Sequence, residues 1–316
     1  VYLQTKYDVR TTRLYSYAWI VYGFLYIPIQ LKTVSSIIQI VLPGLNLMVA
    51  MFIGVTIAVI YTSFSGMKGA SAVGRVVCIG IYVLLICFVF TTLPKFGGFS
   101  GLLGELPEKY DSMGNMPTQR IVAWIVGGCI STAVMQAVLQ PLLSAKSPEA
   151  ARVGSILGYV IAAPICFFTA ICGMLSKASG ADLGDGSTAF AYAIKTFSSP
   201  VFAGIIFAFA TMIIAATMAT MMLATGTIIT NVYKTEINPD VDDAKVLKLS
   251  KTITFVFAYL TLIPAFLIPS KSLTNLFLTL QHVAAAPVSF SILAGLLWKK
   301  TTKQGKKTDF MKTTIL

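Results

Sequence analysis

Eight stretches of the chain are apolar and charge-poor enough to read as membrane-crossing helices: residues 14–41, 43–64, 72–92, 119–143, 152–176, 200–231, 250–269 and 275–298. Roughly 20 predominantly apolar residues carry a helix through the hydrocarbon core. The pattern predicts an all-α integral membrane protein of about eight transmembrane helices, in one transmembrane domain over 1–316. The first stretch is too long for one upright crossing, so it is expected to tilt or to continue onto the membrane surface. One segment departs from simple apolarity. ATMATMMLATGTIITNVYK, from Ala216 to Lys234, follows the run VFAGIIFAFATMIIA, yet it places Thr217, Thr220, Thr225 and Thr227 where leucine would suit lipid better.

Composition fixes the solvent. With 56% hydrophobic and 11% charged residues over 316 positions, and a mean hydropathy of +0.80, the chain has more apolar surface than a water-soluble domain can bury. Lysine and arginine orient it. With the N-terminus cytoplasmic, 17 of the 24 basic residues, from Lys6 and Arg13 to the tail 299–316, fall inside, and 7, among them Lys32, Arg120 and Lys177, fall outside. That asymmetry puts both ends in the cytoplasm of a multi-pass plasma-membrane protein. The net charge of +12 then follows from topology, and the basic tail 299–316 calls for no nucleic-acid partner. Cys78, Cys87, Cys129, Cys166 and Cys172 all lie in spans and read as small apolar packing residues. VYLQTKYDVR has neither a signal-peptide core nor an initiating methionine, so the sequence is expected to be a fragment.

All twelve carboxylates sit in expected loops or tails. A proton-driven transporter usually carries an intramembrane acid or histidine, and an aspartyl intramembrane protease needs two acids. His282 is the one titratable candidate inside a span, and its simplest reading is a polar residue near a helix start that reaches the interface. Neutral oxygens remain. A dehydrated alkali cation needs several oxygen ligands, which hydroxyls and the carbonyls of broken helices supply. Ile213, Thr217, Thr220 and Ala224 share one helical face, with Ala216 beside them. The alternative is packing: small and hydroxylated residues let membrane helices approach and hydrogen-bond across the gap.

In chain order, several segments resemble the sodium:solute symporter family. YLQTKYDVRTTRLYSYAWIVYGFLYIPIQL (Tyr2 to Leu31) is similar to its Y-L-x-x-R-F-G loop and following helix, and YTSFSGMKGA (Tyr61 to Ala70) to its Y-T-x-x-G-G-L-K-A helix end. QAVLQPLLSAKSPEAAR (Gln136 to Arg152) resembles N-Q-x-x-x-Q-R-x-L-A-A-K-S. The threonine-rich helix resembles the one ending in D-I-Y-K, and LLWKKTTKQG (Leu296 to Gly305) resembles L-W-K-R-x-T-x-x-G.

The resemblance implies the LeuT-type architecture of two inverted five-helix repeats with sites at the midplane. Residues 14–92 would be the last three helices of the first repeat, 119–298 the second repeat, and 299–316 a cytoplasmic tail; two earlier core helices and the helices after the core would lie beyond the sequence. It implies Na+ as coupling ion, with the family's carbonyl and hydroxyl pair falling on Ile213, Ala216 and Thr217, and Thr220 one turn further on. Alanine at 216 removes one of the pair's hydroxyls. Val73, Gly74 and Val77 stand where the family carries Thr-Asp and Gln, Pro141 replaces its Arg, and Met135 its Asn.

A small organic solute is expected as substrate. Gln136 and Gln140 share a face of the fourth span behind Gly127-Gly128, where that helix is expected to unwind, and Gln281 matches a substrate-contacting glutamine of sugar-carrying members. Each glutamine also fits an interhelical hydrogen bond. The expected function is sodium-coupled symport by alternating access. Two alternatives stand beside it: a non-transporting receptor or scaffold of the same fold, and an intramembrane serine protease using Ser100 of Gly98-Phe99-Ser100-Gly101 with His282 as base.

Overall fold

The structure is a computed structural model that describes residues 4, 6–108, 116–133, 135–183, 188–268 and 273–298. The tail 299–316 and the side chain of Val73 lie outside the described residues. The described elements are helical. They are α1 (Val9–Val41), α2 (Leu47–Thr92), α3 (Gly98–Gly104), α4 (Thr118–Ala133), α5 (Gln136–Leu143), α6 (Pro148–Ala178), α7 (Ala189–Phe197), α8 (Pro200–Glu236), α9 (Asp243–Leu260), α10 (Leu262–Leu267), α11 (Leu273–Thr279), a π-helical segment (Leu280–Ala285) and α12 (Ala286–Leu297).

Six of these stretches are long and apolar enough to cross a membrane: Val9–Val41, Gly74–Phe96, Pro148–Ala178, Pro200–Glu236, Ala244–Leu267 and Asn275–Leu297. The bent pair α4–α5 supplies a seventh, and Leu47–Thr62 is apolar but shorter. The eight expected stretches each fall on one of them, which makes the protein an all-α, multi-pass membrane protein. One boundary differs. The stretches expected at 43–64 and 72–92 have no loop between them, because α2 is helical from Leu47 to Thr92; SGMKGAS contains no proline to deny the helix its hydrogen bonds.

Helix starts follow local chemistry. Ser147-Pro148 and Ser199-Pro200 open α6 and α8: each serine hydroxyl accepts a backbone N–H three residues on, from Ala150 at 3.1 Å and Phe202 at 3.4 Å, while proline fixes the first helical φ. Asp8 caps α1 through the Thr11 N–H at 2.7 Å. These caps lengthen α6 beyond the expected 152–176, so Glu149 sits in its first turn and Glu236 ends α8.

Three spans are interrupted, each at a place that positions polar groups. The fourth expected span breaks at Met135, whose backbone is extended, and its halves α4 and α5 meet at 42°. The seventh breaks at Thr261, where Pro264 has no N–H to give to the carbonyl four residues back. In the eighth, Pro287 stands at the start of α12, and the chain before it widens to a π turn in which the Ala286 N–H reaches the Gln281 carbonyl. Lys32, buried within α1, donates to the Ile268 carbonyl left free at the end of α10.

α8 is the central post. It packs against α1, α2, α5, α7 and α9 and passes through both large cores. The first core joins Trp19, Tyr22, Ile27 and Leu31 of α1 and Met51 and Val55 of α2 to Met218, Met221 and Met222 of α8, with Ala285 and Val288 from the eighth span. The second gathers Ile81, Leu85 and Phe88 of α2, Ile171 and Leu175 of α6, Ile194 of α7 and Ile206 and Phe207 of α8. Of the five cysteines only Cys172 is buried; Cys78, Cys87, Cys129 and Cys166 are exposed. The four on the outside are still small apolar side chains, which a helix bathed in lipid tolerates there as well as in its core.

Candidate functional site

The threonine-rich face of α8 sits where the two cores meet. Ile213 packs against the second core, Ile214 against both, and Ala215 and Met218 belong to the first. Thr217 and Thr220 are half-buried there. Thr217 Oγ1 donates to the Ile213 carbonyl at 3.0 Å, and Thr220 Oγ1 to the Ala216 carbonyl at 2.9 Å. Among the described residues neither hydroxyl bonds to another helix, so the cross-helix hydrogen bonds of the packing alternative are not formed. A hydroxyl that has given its one proton to a carbonyl keeps its lone pairs for a cation. The arrangement therefore sets two oxygens, Ile213 O and Thr217 Oγ1, side by side, and Ala216 offers only its carbonyl, which holds the Thr220 hydroxyl.

Close helix approach is instead built elsewhere on α8. A Cβ on Gly23 of α1 would run into the side chain of Thr225, which is 2% exposed. Small residues at these contacts let α1 press on the post, as the packing reading expects of such helices.

The second cluster forms around the break in the fourth span. Arg120 Nη2 donates to Asn275 Oδ1 at 3.3 Å, Gly127 lies against the ring of His282, and Ser289 Oγ donates to the Ser131 carbonyl at 3.2 Å. These contacts advance in the same direction on both partners, so α4 runs parallel to the eighth span. At the end of α4, Gln281 Nε2 reaches Thr132 Oγ1 at 3.5 Å, the long limit of a hydrogen bond. Gln136 is the first residue of α5, directly past the extended Met135, and Gln140 lies one turn further along. Both glutamines are half-buried, and among the described residues their side-chain amides have no hydrogen-bond partner. Met135 and Ala137 pack on the first core, to which Ala215 and Met218 of α8 also belong, and α5 packs against α8.

Two sequence expectations are corrected here. Gly127-Gly128 does not unwind; both stay within α4, and the break falls seven residues after Gly128, at Met135. Gly127 is small for another reason: any Cβ there would strike the His282 ring. Nor does His282 reach the interface. Its Nδ1 is bonded to the Leu278 carbonyl and its Nε2 is buried against α4. No hydrogen bond joins Ser100, exposed on α3, to His282 among the described residues, so the serine–histidine pair of a protease is not assembled. Sequence reasoning missed Thr132, Ser131 and Ser289, because lone hydroxyls in apolar helices carry no signal until the partner helix is known.

An apolar cavity of about 320 Å³, lined by Met48, Val49, Met51, Phe52, Leu262 and Phe266, includes none of the candidate residues. It has no polar group to orient a solute.

The comparisons with known proteins point the same way as the broken spans. An uncharacterized symporter, YodF, of Bacillus subtilis (strain 168) is 25% identical over 294 residues, covering 88% of this chain and 58% of that protein. A monocarboxylate transport permease protein of Rhizobium johnstonii is 24% identical over 253 residues, covering 75% of this chain and 50% of its own length. The chain thus spans about half the length of these curated relatives. Residues 2–309 match the sodium:solute symporter family. An all-helical membrane chain with broken spans, matched to that family over nearly its whole length, belongs to the sodium:solute symporter family.

Proposed function

We propose that the protein is a sodium-coupled symporter of a small organic solute, working by alternating access in the plasma membrane. Residues 14–92, which the structure forms as α1 and the continuous α2, take the place of the last three helices of the first inverted repeat, and 119–298 act as the second, with both ends of the sequence cytoplasmic. Na+ is held by the Ile213 carbonyl and the Thr217 hydroxyl, with Ala216 and Thr220 beside them, and the solute binds at the α4–α5 break through Gln281, Gln136 and Gln140. The observation that carries this reading is the broken fourth span packed on the π segment, with Gln281 reaching Thr132 across the gap. Broken membrane helices free backbone carbonyls and amides at the midplane, which is where transporters place solute and ion. The parallel run of α4 and the eighth span fits the alternation of directions that a second repeat requires.

Ion binding beside Thr217 favours the outward-open state, and solute binding then lets the bundle rock inward. The membrane potential contributes about 2.3 kcal/mol per unit charge per 100 mV to that step. Since one relative is a monocarboxylate permease, small organic acids head the solute panel. The test is uptake into proteoliposomes of acetate, pyruvate, lactate, proline and glucose, with and without an inward sodium gradient. Gradient-driven uptake of one of them is expected; equal uptake in its absence removes sodium coupling, and no uptake of any favours a non-transporting receptor.

A further inference from the structure

Resting on the reading of the α4–α5 break and the π segment as the solute site, we propose that His282 is a ligand-binding residue of that site. It holds the carboxylate of a small organic acid against a protonated imidazole, so that solute binding carries a proton with it.

His282 is the chain's only histidine, and its two ring nitrogens are in different situations. Nδ1 is bonded to the Leu278 carbonyl. A carbonyl oxygen can only accept, so Nδ1 carries the proton, and the neutral ring presents a bare lone pair at Nε2. That Nε2 is buried and has no hydrogen-bond partner among the described residues. Its edge of the ring lies over Gly127, where any side chain on α4 would collide with it. A buried acceptor packed against a helix whose N–H groups serve the helix itself is unfavourable unless something else donates to it. Either a solute hydroxyl or amide supplies the donor, or a proton binds and makes the ring an imidazolium.

The surroundings choose between these. The π segment packs against α1, α4, α11 and α12. Their ionisable groups are Arg120 and Cys129 on α4, and Arg10, Arg13, Tyr15, Tyr17, Tyr22, Tyr26 and Lys32 on α1; α11 and α12 have none. None of the four elements contains a carboxylate. A charged His282 therefore has no carboxylate counter-charge on the described elements packed against it, and charges within a membrane bundle are paired. A solute carboxylate provides it. Gln281, the preceding residue, also reaches α4 through Thr132, so its amide can donate to the second carboxylate oxygen. Arg120, two turns above Gly127 and bonded to Asn275, puts a positive charge at the entrance of the same helix pair. The only bond formed at the protein is N–H at Nε2. The proton comes from water on the side of entry, stays with the imidazole while the carboxylate is bound, and returns to water on the side of release.

The test is uptake by the full chain in proteoliposomes, between about pH 6 and 8, with acetate, pyruvate and lactate against glucose and glycerol as uncharged comparators. Over that range the acids stay ionised, since carboxyl groups ordinarily titrate near 4. The expected result is a KM for the carboxylate that rises by up to about tenfold per pH unit, with the slope abolished in His282→Gln and sodium activation retained. A flat profile in the unsubstituted protein, or the same slope in His282→Gln, overturns the proposal. So does uptake of the uncharged solutes alone, which leaves the site reading standing, whereas no gradient-driven uptake of any solute overturns both. Should His282→Gln fail to fold, the unsubstituted protein decides: calorimetry of the transported carboxylate in two buffers of different ionisation enthalpy is expected to show proton uptake on binding, and zero uptake overturns the proposal.

Discussion

Thr217 carries the sharpest question at the scale of single residues. Its hydroxyl already spends its proton on the Ile213 carbonyl at 3.0 Å, so what it can add to an ion site is a lone pair. Thr217→Ala removes that oxygen and is expected to raise the sodium concentration for half-maximal transport about tenfold or more, roughly 1.4 kcal/mol; Thr217→Ser should change it little. Ala216→Ser adds a second hydroxyl beside the first and should lower it. Were Thr217 only a packing residue, its loss would cost about 0.6 kcal/mol of stability and leave the sodium titration unmoved, which is the outcome that removes the ion assignment. Gln281 is the companion case. Its 3.5 Å contact with Thr132 is too long to commit the amide, so Gln281→Ala should raise KM for the solute several-fold with sodium activation intact, while Thr132→Val should do much less. Equal losses of surface expression in both variants would mark the contact as structural.

At the scale of elements, the bundle depends on how closely α1 approaches α8. Gly23 faces Thr225, and a methyl group at 23 meets the Thr225 side chain, which is 2% exposed and has no room to turn away. Gly23→Ala should destabilise the protein by about 1–3 kcal/mol through overpacking. Thr225→Ala removes the obstructing hydroxyl and methyl group, so the double substitution should recover most of that loss. Thermal unfolding of the single and double variants in detergent measures it, and simple additivity would show that the two helices do not touch at this point. The interruptions at Thr261 and at 280–285 are elements of the same kind: Pro264 and Pro287 withdraw an N–H, and the helix answers with a break or a π turn.

At the scale of the molecule, orientation ties every site to a side of the membrane. Ser147 and Ser179 flank the 31-residue α6, which rises about 46 Å at 1.5 Å per residue, enough to cross. A single cysteine at Ser179 should react with an impermeant thiol reagent from outside and one at Ser147 should not, in cells where the native cysteines have been replaced. Labelling of Ser147 from outside would invert the topology that the lysine and arginine bias implies.

The sequence alone determined the solvent, the eight apolar stretches and the family resemblance, because long apolar runs and the punctuation between them are local properties that need no partner to be read. It also carried the threonine face of α8, since Ile213, Thr217 and Thr220 share a side of any regular helix. What it could not locate were events decided between helices. The fourth span breaks at Met135, not at Gly127-Gly128, because glycine there is required by the ring of His282 and not by a turn. Gln281 acquires Thr132, Ser289 acquires Ser131, and His282 is left with a buried bare nitrogen, only because α4 lies parallel to the eighth span. Apolar periodicity says which residues leave water; which polar atoms then meet is set by helix register, and that is a property of the tertiary structure.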